Sequence, residues 1–88
     1  MSEPRDIRLK RLKIRSWRRG TKEMDMILGP FFDSQGGSLS DATLDAYERL
    51  LNENDQDLYL WVSGGADAPD GHAKILDQIR AFTQENAR

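Results

Sequence analysis

The chain has 88 residues, no cysteine and one histidine, His72, which excludes disulfides, zinc–thiolate sites, cysteine nucleophiles and a multi-histidine metal site within one chain. A domain of this length hides only about two-thirds of the surface its unfolded chain exposes, so few apolar residues remain to wall a water-excluded catalytic cavity, and an enzyme is not expected. The net charge of −2 conceals a division: residues 1–22 carry nine Lys/Arg against Glu3 and Asp6, the rest four Lys/Arg against thirteen Asp/Glu, an asymmetry that marks an electrostatic interaction surface.

In chain order, residues 1–5 read as a loose tail, with Pro4 suited to a first helical turn. From Asp6 to Trp17, the apolar Ile7, Leu9, Leu12, Ile14 and Trp17 alternate with basic residues, which predicts a helix with a broad apolar stripe. Gly20 is expected to stop it in a left-handed conformation. Met24, Ile27, Leu28 and Phe31 follow i, i+3, i+4, i+7 and predict a second helix. Glu23 falls in its first turn, and a kink or early end is expected near Met26–Gly29 because of Pro30. Phe31 and Phe32 are expected in the core, and Gly36-Gly37 in a loop.

Ser40 is a predicted N-cap, with Leu39 and Leu44 spaced as a hydrophobic staple and Leu44, Tyr47, Leu50 and Leu51 as the buried stripe of a third helix. Asp55 or Asp57 is expected to cap a short fourth helix carrying Leu58, Trp61 and Val62. Gly64 to Gly71 reads as a loop. A last helix over 72–86 buries Ile75, Leu76, Ile79 and Phe82, with 84–88 as a loose end. No strand alternation, repeat or low-complexity tract is present, so the fold class is all-α: one domain of five helices in a compact bundle. No apolar run approaches a membrane span and no hydrophobic leader precedes the first charges; a cytoplasmic monomer is expected.

Little in this chain points to chemistry. No phosphate-loop or dinucleotide glycine pattern occurs. Asp55 and Asp57 read as a capped helix start rather than an acid–base pair, and His72 as a residue at the start of the last helix. The basic first helix raises nucleic-acid binding as an alternative, but the chain is acidic overall, with a pI near 5.3, and Trp17 is the sole aromatic in the basic run. Arg18 to Glu23 stands apart. Arg19 carries a planar fork suited to a carboxylate, phosphate or carbonyl, Gly20 would admit a close backbone, and Glu23 is placed to meet a cation. Capping and partner contact explain Gly20 and Glu23 equally well from the residues alone.

The run R-R-G-T-K-E-M-D at 18–25 resembles the R-G-x-x-E signature of the succinate dehydrogenase flavinylation factors, which include bacterial SdhE and mitochondrial counterparts. P-F-F at 30–32, L-S-D at 39–41, L-L at 50–51 and D-x-D-L-x-x-W at 55–61 match in order, so the resemblance runs from about Arg8 to Phe82. It implies a five-helix fold built on a four-helix bundle. It also implies an assembly factor that binds the flavoprotein subunit of succinate dehydrogenase, and often that of fumarate reductase, and promotes covalent attachment of FAD to a histidine of that partner. FAD would not be stably held by the factor. The contact surface carries over to Arg19, Gly20 and Glu23, with Arg18 and Asp25 in the extended pattern.

Overall fold

The periodicities resolve into five α-helices in a computed structural model that describes residues 3–86: α1 (Arg5–Trp17), α2 (Lys22–Gln35), α3 (Asp41–Leu51), α4 (Asp55–Ser63) and α5 (Asp70–Asn86). A 3₁₀ turn, Gly36–Ser38, joins α2 to α3. Among the described residues there is no strand, in keeping with the all-α expectation. Arg5 belongs to α1 and residues 84–86 to α5, not to loose tails; residues 1–2 and 87–88 of those predicted tails lie outside the described residues.

Helices α1 and α2 form an antiparallel hairpin, as the short 18–21 connection requires. Trp17 lies across Gly29, where an added Cβ would fall 2.4 Å from the indole ring, and Lys13 meets Asp33 at 3.6 Å. Only glycine permits that approach. The expected broad stripe on α1 is narrower than its composition suggests: Leu12 is buried and Leu9 half-buried, while Ile7 and Ile14 are more than half exposed. The buried face is completed instead by Ser16. Its hydroxyl donates to the Leu12 carbonyl at 2.8 Å and lies 2.6 Å from the Tyr47 hydroxyl, so the buried polar group is satisfied.

Helix α2 does not end near Met26–Gly29 but continues through Pro30 to Gln35. Proline removes the N–H that would reach the Met26 carbonyl, but Met26 is on the solvent side, 58 % exposed, where water can take that bond. Beyond it, burial of Phe31 and Phe32 holds the last turns in place. Phe32 stacks on Tyr47 at 5.1 Å between ring centroids, and Phe31 meets Phe82 edge-on at 5.8 Å.

The Ser40 cap and the Leu39–Leu44 staple form as predicted: Ser40 Oγ accepts from the Thr43 N–H at 3.1 Å and both leucines are buried. For α4 the cap is one residue earlier than expected. Asn54, not Asp55 or Asp57, accepts the Asp57 N–H at 2.9 Å, which releases Asp55 for another task. Helix α5 starts at Asp70 and packs against α2, α3 and α4, burying Ile75, Leu76 and Ile79.

Candidate functional site

The site is built around the four-residue link between α1 and α2. Helix α1 closes at Arg18, whose N–H donates to the Ile14 carbonyl at 3.0 Å. Gly20 therefore does not stop the helix, and it is not left-handed: among the described residues the positive-φ glycine is Gly64, at the end of α4 with φ 84°. Gly20 is needed for proximity. Its N–H donates to Asp55 Oδ2 at 2.6 Å, the Thr21 N–H reaches the same oxygen at 3.1 Å, and a Cβ at Gly20 would come within 3.1 Å of it.

Asp55 is held in turn by Arg19. Arg19 Nε donates to Asp55 Oδ1 at 2.8 Å, Nη1 to the Leu51 carbonyl at 2.7 Å and Nη2 to the Glu53 carbonyl at 2.8 Å. The two side chains are 12 % and 11 % exposed. The guanidinium thus takes the open Leu51 carbonyl at the end of α3 and the Glu53 carbonyl in the link that follows, while its carboxylate partner sits in the first turn of α4, each charge at the favourable pole of a helix. The fork expected to face a partner is turned inward. Arg19 is a clamp tying the motif to the α3–α4 corner.

Asp25 is also turned to the loop, accepting the Arg19 backbone N–H at 2.6 Å. Thr21, which was not among the expected contact residues, caps α2 by accepting the Met24 N–H at 3.4 Å. That removes the capping role weighed for Glu23, whose carboxylate makes no hydrogen bond or ion pair among the described residues. Arg18, Gly20, Thr21, Lys22 and Glu23 are exposed. The five predicted site residues therefore lie together but divide by direction: Arg19 and Asp25 hold the loop, while Arg18, Gly20 and Glu23 present it.

Beside the loop an open groove of about 650 Å³ is lined by Thr21, Glu23, Asp55, Gln56, Tyr59 and Leu60. Tyr59 and Leu60 were not among the expected site residues; they fall outside the Leu58–Trp61–Val62 stripe of α4 and are 46 % and 45 % exposed. Two adjacent apolar residues off the buried face of a nine-residue helix were the available signal.

The basic face of α1 has a different use. Arg5 bonds Asp41 at 2.7 Å, Arg8 bonds Asp45 at 2.6 Å and Glu48 at 3.2 Å, Arg11 meets Glu3 and Glu48, and Arg15 donates to Asn52 at 2.9 Å. The hydrogen bond from Arg11, followed by attraction to Arg11 and Arg8, holds the Glu48 carboxyl below its usual range. The bond to Asp45 raises Arg8, and the bonds to Glu3 and Glu48 raise Arg11. Much of the N-terminal positive charge is thus matched to α3 within the chain.

His72 Nε2 lies 2.8 Å from Glu53 Oε2 and its ring 5.7 Å from Trp61, while Nδ1 is buried without a partner among the described residues. It braces the residue whose carbonyl receives Arg19. Among the described residues no cluster of ligands suited to a metal ion occurs, and no helix is long and apolar enough to cross a membrane.

Comparison with known proteins gives one consistent family. Residues 10–83 match the model of the family described as flavinator of succinate dehydrogenase. The chain is 40 % identical over 91 residues to the mitochondrial succinate dehydrogenase assembly factor 2 of Meyerozyma guilliermondii, covering 98 % of this chain and 67 % of that protein. Against the protein of the same name from Danio rerio, identity is 33 % over 85 residues, covering 93 % and 54 %. Against the FAD assembly factor SdhE of Aliivibrio fischeri it is 38 % over 63 residues, covering 70 % and 73 %. The chain spans between a quarter and about two-thirds of the mitochondrial relatives it matches.

Proposed function

The chain belongs to the flavinator of succinate dehydrogenase family, and on that premise we propose that it is an assembly factor that binds the flavoprotein subunit of succinate dehydrogenase and promotes covalent attachment of FAD. The observation that carries this reading is the division of the motif. Arg19 and Asp55 fix the loop from within, and Gly20, Thr21 and Glu23 are left exposed on a rigid turn. A preformed loop binds without the entropic cost of ordering it.

The chain acts by holding its client, not by catalysis. It sets the client so that the histidine and the flavin ring meet in reactive geometry, which is worth several kcal/mol when two groups are otherwise free to diffuse, and the cofactor and client supply the bond-forming chemistry. FAD is not retained by the factor, which works as a monomer in the cytoplasm; the fumarate reductase flavoprotein is a second client of the same kind. Nucleic acid has no part in this reading, because phosphates would have to displace the α3 carboxylates from Arg5, Arg8 and Arg11.

The test is covalent flavin on the client, read as in-gel fluorescence after denaturation, with and without this chain. Added chain should raise the signal, and Gly20→Arg should abolish the rise while wild-type helicity is kept. An unchanged signal with the unmutated chain would overturn the proposal.

A further inference from the structure

We propose that α4 supplies the second half of the docking surface, with Tyr59 and Leu60 receiving an apolar side chain of the client while Glu23 pairs with a Lys or Arg beside it. This rests on the assembly-factor reading and adds the chemistry of the segment that is bound.

Three observations converge on it. Tyr59 and Leu60 are two of the five large apolar residues that are markedly exposed among the described residues, and both line the groove that opens beside the motif. Apolar surface gathered in a concavity, unlike a scattered leucine, marks an interaction site. Second, the groove lining contains two carboxylates and no Lys or Arg. Asp55 is already matched by Arg19 and by two backbone N–H groups, so Glu23 is the carboxylate left to a partner's cation. Third, the groove walls come from α2, α4 and the link, all locked together by the Arg19–Asp55 clamp, so the two halves of the surface have a fixed separation.

The occupant that fits is a client segment carrying a basic residue next to an aliphatic or aromatic one. A second copy of this chain fits less well, because a two-fold contact brings the same patch from both copies together and would bring two unmatched Glu23 carboxylates into one interface.

The experiment measures the Kd of the full chain for the recombinant apo flavoprotein subunit of succinate dehydrogenase at low and high salt. Tyr59→Ala and Leu60→Ala should each weaken binding at least tenfold, with helicity and Tm close to wild type because both side chains face out. Glu23→Gln should weaken binding and flatten its salt dependence, since the screened pair is gone. Ile7→Ala, equally exposed but three turns away on α1, should change nothing. If Glu23→Gln weakens binding and the two α4 variants do not, the α4 surface is refuted while motif docking stands. If the unmutated chain does not bind the subunit, both readings fall. A concentration-dependent dimer, lost in Tyr59→Ala, would assign the groove to a second copy and overturn the proposal.

Discussion

Replacing Arg19 by alanine tests whether the motif arginine is a clamp or a contact. The change deletes three hydrogen bonds from a side chain that is 12 % exposed, leaves the Leu51 and Glu53 carbonyls without that donor, and strips Asp55 of its cation. Breaking a buried ion pair from one side costs roughly 3–5 kcal/mol. Residual exposure and the two N–H groups that still serve Asp55 place the effect near the lower end, at about 3 kcal/mol. For a domain of this size that is a fall in Tm of roughly 12–24 °C. Urea and thermal unfolding followed by circular dichroism read it directly. Arg19→Lys keeps the charge, but a compact ammonium cannot serve Asp55 and both carbonyls together, so it should recover no more than about half of the loss. Client binding abolished with a stability loss under about 1 kcal/mol would show that the fork works outward, and the clamp would be wrong.

The Ser16–Tyr47 pair gives a sign test: Ser16→Ala strands a buried phenol hydroxyl and should cost about 1–3 kcal/mol, whereas Ser16→Ala with Tyr47→Phe removes both ends and should be less destabilised than Ser16→Ala alone; the reverse order in urea midpoints would refute the buried bond. Gly29→Ala must displace the Trp17 ring and should cost about 1–3 kcal/mol by overpacking, despite alanine's gain of about 1 kcal/mol in helix propensity; an unchanged midpoint would mean the hairpin relaxes freely. Glu48 has a depressed folded pKa, so its contribution is present above its ordinary value of 4.5 and lost as pH falls through the lower folded value. Glu48→Gln should therefore lower stability at neutral pH by about 1 kcal/mol and flatten the decline below pH 4.5, and an identical acid limb in both proteins would count against the Arg11–Glu48–Arg8 pairing.

Helices and their core faces were legible because period and caps are local properties: Met24, Leu28 and Phe31 share a face by spacing alone, and Ser40 sits one residue before its helix. What escaped was decided by partners distant in sequence. Nothing near Arg19 says that its fork will meet residues 51–55, so its inward direction could not be read. The same holds for the arginines of α1, whose carboxylates lie on α3. Ile7 and Ile14 have the chemistry of core residues, yet they lie on the face of α1 opposite the buried Leu12 and are more than half exposed. Pro30 argued for a break on local grounds, and burial of Phe31 and Phe32 beyond it prevailed. The motif itself was visible only as a family signature, since a Gly beside a first-turn Glu suits a helix start as well as a contact.

The Arg19–Asp55 clamp also bears on whether the motif can be moved. A synthetic peptide copying residues 17–27 would contain every signature residue and still lack the loop, because the groups that shape it, the Leu51 and Glu53 carbonyls and the Asp55 carboxylate, are supplied from more than thirty positions downstream. Transplanting the surface onto another scaffold would require two segments, the α1–α2 link and the α3–α4 corner, carried over in their mutual orientation.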